Sequence, residues 1–114
     1  MNNIKQLQEI QKIVTEHLVR GGNILEYGGK NRDIGASKRA EDCFSEGLTK
    51  LKRLKLSPEN RRNIRLLRNA FEYAIKSTKA LRKGRNEKAR AYMDQSSEYG
   101  YKYRDAVIAR VKGK

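Results

Sequence analysis

Apolar side chains in this chain recur at steps of three and four, and no run alternates at steps of two. A step of three or four returns a side chain to the same face of an α-helix, whereas a half-buried strand needs alternation. The pattern therefore predicts helices and no sheet. Core thickness is limited too, because Leu, Ile, Val and Phe together supply only 24 of 114 residues. That is about one-fifth, close to the level at which a highly charged chain stays disordered. A large core is excluded, and a thin core between long amphipathic helices remains.

Four helices are predicted. Ile4, Leu7, Ile10, Val14 and Leu18 share a face over 3–20, with Asn2 or Asn3 as the cap and Gly21-Gly22 as the stop. Residues 21–36, interrupted by five glycines, read as a flexible loop with one helical turn near 23–27. The second helix covers 37–55 and buries Ala40, Cys43, Phe44, Leu48, Leu51 and Leu54. Its acids lie toward the start and its lysines toward the end, which suits the helix dipole.

The third helix starts at Ser57-Pro58-Glu59, a cap followed by a proline and an acid in the first turn. It runs to Lys83 and stops at Gly84, with Ile64, Leu67, Phe71, Ala74, Ile75, Thr78 and Leu81 as its apolar stripe. The fourth runs from Asn86 to Val111, with Ala89, Tyr92, Met93, Ser96, Tyr99, Tyr103, Ala106 and Val107 on one face. Gly100 inside it implies close packing or a bend, and residues 112–114 form a frayed tail. Short connections make successive helices antiparallel. The expected fold is one all-α domain over 1–114, a small antiparallel bundle of four helices whose third and fourth are long. A core so thin leaves room for dimerisation.

Charge points to the class of partner. The chain carries 27 Lys and Arg against 13 Asp and Glu, and the excess is uneven. Residues 1–57 hold 11 basic and 7 acidic side chains; residues 58–114 hold 16 and 6. A concentrated positive field attracts polyanions and speeds their encounter. Within the third helix, Arg61, Arg65, Arg68, Glu72, Lys76, Lys79 and Lys83 follow steps of three or four. They occupy one narrow band at ~100° per residue, and six of the seven are cations. Arg82, Arg85 and Lys88 extend the charge around the next turn. Like charges four apart repel by a few tenths of a kcal/mol, so a helix that merely faces water would interleave glutamates.

The expected function is therefore non-enzymatic binding to the phosphates of DNA or RNA, with weak or no base preference. Such a protein would suit a small subunit of a ribonucleoprotein or nucleoprotein complex. The alternative is an adaptor or inhibitor that docks the same basic face on an acidic protein surface. Tyr92, Tyr99 and Tyr103 read as core with hydroxyls at the rim. Tyr101, pointing about 180° away beside Lys102 and Arg104, is the candidate for stacking on a base.

Other chemistry finds little footing. Gly29-Lys30 is followed by Asn31, and Ile24 stands where a phosphate-loop glycine belongs. One histidine, His17, and one cysteine, Cys43, provide no metal-ligand spacing and no nucleophile with its base, so neither a cofactor nor a metal is expected. The absence of a run of ~18–20 apolar residues, of a signal-like start and of a second cysteine for pairing predicts a cytoplasmic protein with no membrane partner. Residues 73–96 include Lys83-Gly84-Arg85-Asn86-Glu87-Lys88-Ala89 and Tyr92-Met93, which resemble the turn and second helix of a tetratricopeptide repeat. A stable array needs about three copies, and the first half holds none, so the stretch is read as an ordinary helical hairpin.

Overall fold

Every described element is helical. A computed structural model describes residues 3–113. The elements are α1 (Asn3–Ile13), a π-helical stretch (Val14–Val19), α2 (Arg20–Lys30), α3 (Ala36–Arg53), a short α4 (Pro58–Arg61), α5 (Ile64–Arg82) and α6 (Asn86–Lys112). No strand occurs among the described residues, and none of these helices is long and apolar enough to cross a membrane. The bundle is an elongated body of 46 × 21 × 19 Å.

The first rod departs most from the expectation. Gly21-Gly22 does not stop it: α1, the π-helical stretch and α2 run on as one helical rod, and residues 21–30 are helix rather than loop. The reason is packing. A Cβ on Gly21 would stand 2.3 Å from Cε1 of Phe44, and one on Gly28 would stand 2.1 Å from Cβ of Ala36. Seven residues separate these glycines, about two turns, so both lie on the face that meets α3. Gly47 of α3 answers them, because a Cβ there would lie 2.3 Å from Cβ of His17 and 2.7 Å from Cε1 of Phe71. These glycines remove side chains where two helices press together. Tertiary contact outweighs the ~1 kcal/mol by which each glycine disfavours a helix.

The π-helical stretch also shifts the phase of the rod, since its turn holds more than 3.6 residues. Ile13, His17 and Gly21 turn into the core, while Val14 and Leu18 are half-buried and Ile4 stays 65% exposed. The predicted stripe thus holds at Leu7 and Ile10 and slips a residue beyond them. The loop that remains is 31–35. There Arg32 takes a positive φ of 51°, and Asp33 ties the chain down. Its Oδ1 accepts the Gly35 N–H at 2.9 Å and its other oxygen pairs with Arg39. That guanidinium, aided by the N–H, holds the Asp33 carboxyl below the ordinary carboxylate range.

At the opposite end, a polar clasp joins three segments. Oε1 of buried Gln6 accepts from Asn60 Nδ2 at 2.8 Å and from the Ser57 N–H at 3.0 Å. Asn60 also donates to the Asn3 carbonyl at 3.1 Å and accepts from Arg110 Nη2 at 3.0 Å. Ser57 caps α4 as predicted, accepting the Asn60 N–H. The predicted single helix over 58–83 is broken, however. Arg62 and Asn63 form a turn, and Asn63 (φ −112°, ψ 8°) leaves the helical region. Asparagine favours such local conformations over a helix interior, and this turn lets α4 reach the clasp while α5 packs on the core. Asn2, the other predicted cap, and Lys114 of the predicted tail lie outside the described residues. Lys112 is helical and the Gly113 N–H still bonds the Ala109 carbonyl.

The core itself is small. Phe44, Phe71, Ile10, Leu51 and Leu67 are fully buried, each contributing about 1.5–3 kcal/mol by removal from water. Between α5 and α6 the filling is smaller still. Ala70, Ser77, Ala80, Ala89 and Ser96 are buried there, with the Ser77 hydroxyl donating to the Ala89 carbonyl (2.8 Å) and the Ser96 hydroxyl to the Ala70 carbonyl (2.7 Å). Gly84 (φ +74°) supplies the turn between the two helices. Gly100 does not pack closely: a Cβ there would meet nothing within 4 Å. It lines an open groove of about 1380 Å³ between α6 and the first rod, walled by Val14, Leu18, Met93, Val107 and Ile108 among others.

Substitution of the glycines separates contact from conformation. Gly47→Ala is expected to cost about 1–3 kcal/mol through overpacking. Gly22→Ala, in open helical space, is expected to add about 0.5–1 kcal/mol. Gln6→Leu takes the acceptor from the half-buried Ser57 N–H and from one N–H of buried Asn60, and is expected to cost about 1–3 kcal/mol. Urea unfolding followed by far-UV circular dichroism measures all three.

Candidate nucleic-acid interface

The buried face of α5 decides where its cations go. Leu67, Ala70, Phe71, Ala74, Ser77, Thr78 and Ala80 are all buried. On a helical projection they centre about 170° from the mean direction of Arg65, Arg68, Glu72, Lys76 and Lys79. The apolar stripe read from sequence stood about 120° from that row. The difference comes from Ala70, Ser77 and Ala80, small residues that pack against α6 and that an apolar count passes over. The cation row consequently faces straight out of the bundle, and each of its members is exposed.

From Arg65 to Lys79 the row is about 21 Å long. No carboxylate oxygen lies within 4.0 Å of Arg65, Arg68, Lys76, Lys79 or Lys83 among the described residues. The ammonium of Lys76 instead sits 4.7 Å from the ring centroid of Tyr73. Glu72 interrupts the row in sequence and is exposed, with no ion pair to Arg68 or Lys76. Elsewhere the acids are taken up locally, as in Lys38–Asp42 at 3.1 Å and Lys102–Glu98 at 3.3 Å.

The remaining residues of the predicted track divide. Arg61 is exposed but belongs to α4, beyond the turn at 62–63, so its regular spacing with Arg65 is interrupted. Arg82 is paired with Glu41 of α3 and points to that flank of α5. Lys83 is the C-cap of α5, Arg85 precedes α6, and Lys88 lies in the first turn of α6; all three are exposed. Four further cations had no place in the sequence-derived track. Arg62 is exposed at the turn, and Lys52, Arg53 and Lys55 are exposed at and beyond the end of α3. The short 54–57 connection leads from that end into α4, which adjoins the start of α5, so these side chains thicken the positive charge there. In the sequence, Lys52, Arg53 and Lys55 were read only as the basic end of the second helix.

Tyr101 stands apart from the row. It is 58% exposed and the Arg104 guanidinium carbon lies 4.9 Å from its ring centroid. It lines the groove on the far side of α6. Tyr73, Tyr92 and Tyr99, by contrast, gather where α5 meets α6. Tyr73 and Tyr99 stack at 5.5 Å and 12°, and Tyr73 meets Tyr92 at 6.1 Å and 37°.

The histidine and the cysteine have structural positions. His17 is 6% exposed and its Nδ1 lies 3.0 Å from the Cys43 carbonyl, which can only accept. Nδ1 therefore carries the proton, and Nε2 accepts from the Lys50 ammonium at 3.1 Å. Cys43 Sγ donates toward the Glu16 and His17 carbonyls at 3.5 and 3.4 Å. These are the carbonyls of the wide π-helical turn. Burial pushes the Cys43 thiol up, the opposite of what a nucleophilic thiolate needs. No group of three His, Cys, Asp or Glu side chains among the described residues is placed to hold a metal ion.

Cys43 is accordingly expected to react with a disulfide probe at pH 8 at least about tenfold more slowly in the native chain than in denaturant, a ratio that stopped-flow absorbance measures. Comparison with known proteins found no matching family model, no matching curated protein and no matching solved structure.

Proposed function

We propose that the protein binds nucleic acid through its phosphates, with Arg65, Arg68, Lys76 and Lys79 of α5 as the central contacts. Lys83, Arg85 and Lys88 continue the surface at one end and Arg61 at the other. The observation that carries this reading is a 21 Å row of exposed cations with no carboxylate partner among the described residues. Such cations give up no internal ion pair when they meet an external anion. A polyanion that replaces condensed counterions with these side chains gains the entropy of the released ions. The arginines add paired hydrogen bonds to phosphate oxygens. Contacts of this kind ignore base sequence, so the protein would act as a small positively charged subunit within a nucleoprotein assembly.

An acidic protein surface is the second reading. One observation favours it: Arg82, at the edge of the same region, already engages the carboxylate of Glu41. The two readings part over nuclease. A tagged protein recovered from lysate is expected to lose its partners after nuclease treatment if phosphates hold them, and to keep one stoichiometric partner if carboxylates do.

The direct test is fluorescence anisotropy with labelled oligonucleotides at 50 mM salt. Changing Arg65, Arg68 and Lys76 together to Gln is expected to weaken binding by roughly 10²-fold. The circular dichroism spectrum should be unchanged, since all three are exposed. Absence of binding by the unaltered protein at that salt, or equal affinity of the triple variant, would overturn the proposal.

A further inference from the structure

The seam between α5 and α6 carries a feature that phosphate binding leaves unused. On the projection of α5, Tyr73 lies on the side that meets α6, about 60° from Lys76 and 80° from Arg65. On the projection of α6, Tyr92 and Tyr99 lie within about 40° of Lys88. Three rings therefore line the outer edge of the seam with cations on both of its banks. The measured contacts agree: Lys76 Nζ is 4.7 Å from the Tyr73 centroid, and Lys102 Nζ is 5.5 Å from that of Tyr99. Both separations lie within the range for attraction between a cation and a ring.

The rings are partly open. Tyr73, Tyr92 and Tyr99 are each half-buried. Their hydroxyls make no hydrogen bond to another described residue, and no side-chain polar atom without a partner is buried. The hydroxyls therefore reach water. Packing alone would account for one such ring capping the small-residue interface. Tyr92 and Tyr99 each meeting Tyr73, with lysines from two helices beside them and a cation row that has no carboxylate partner among the described residues, make up the two elements of a single-strand site: π-faces for bases and charges for the backbone.

We infer that this seam is a stacking ledge for unpaired bases, and that the favoured ligand is single-stranded nucleic acid rather than a duplex. The inference rests on the phosphate-binding reading above. The backbone follows the α5 row while bases turn inward over Tyr73, Tyr99 and Tyr92. Lys76 and Lys102 lift from the rings toward phosphates, Lys102 giving up its pairing with Glu98. A duplex presents the same phosphates but keeps its bases inside, where the rings cannot reach them. Stacking accepts any base, because each has a π-face, so the ledge adds affinity without a code.

The test compares a labelled thymine 12-mer with a duplex of the same length. The Tyr73→Leu/Tyr99→Leu variant removes two rings and retains apolar bulk. It is expected to lose about tenfold in single-strand affinity for each ring, with duplex affinity unchanged. Tyr73→Phe/Tyr99→Phe is expected to bind like the unaltered protein, since the rings remain. The chain has no tryptophan, so tyrosine emission gives a second readout that needs no leucine variant. In a Tyr27→Phe/Tyr101→Phe background, the thymine 12-mer is expected to quench that emission and the duplex to leave it unchanged. Equal loss for both ligands, no loss for either, or no quenching by the single strand would overturn the ledge and leave phosphate binding standing. If neither ligand binds the unaltered protein, both proposals fall together.

Discussion

α5 is packed on two flanks, against α3 and against α6, and only its remaining side meets water. Phe71 is buried against Gly47 of α3, and Ala70 and Ser77 are buried toward α6. With those directions filled, Arg65, Arg68, Lys76 and Lys79 have one orientation left. A helix bound on one flank could roll to bring a cation back toward an acid on its neighbour. Phe71 packed against Gly47 on the α3 flank and buried hydroxyl-to-carbonyl bonds on the α6 flank prevent that roll, so the like-charged row stays exposed despite the mutual repulsion of its members.

The same economy of side chains holds the first rod to α3. Gly21, Gly28 and Gly47 bring the backbones together, and His17 of the π-helical stretch packs over Gly47 with its tautomer set by the Cys43 carbonyl and Lys50. With few large apolar residues available, the chain reaches close packing by removing side chains rather than by adding them. Dispersion contacts rise as helices approach, and among the described residues no buried side-chain nitrogen or oxygen lacks a hydrogen-bond partner. The clasp of Gln6, Asn60 and Arg110 serves the same end at the opposite pole.

What could be read from the sequence follows from this. The bundle, the Ser57-Pro58 start, the Gly84 turn and the cation row were legible, because periodicity and capping chemistry are local. Gly21 and Gly28 were read as breakers, since a glycine that ends a helix and one that admits a neighbour look alike until the neighbour is placed. The turn at Arg62-Asn63 answers to the distant Gln6, which no local pattern announces. The tyrosines were read as a stripe on α6 alone. Tyr73 completes the group from another helix, and only the packing of α5 on α6 brings the three rings together.

On this account the molecule is a scaffold that holds one file of positive charge at a fixed spacing, with rings beside it. Phosphate contact has a signature that neither fold nor composition can imitate, the exponent with which affinity falls as salt rises. Measured on a single strand, that exponent should be smaller by about 2 when Arg65, Arg68 and Lys76 are replaced by glutamine, each lost contact removing roughly 0.7. Identical exponents for the two proteins would mean that the row is not where the anion binds.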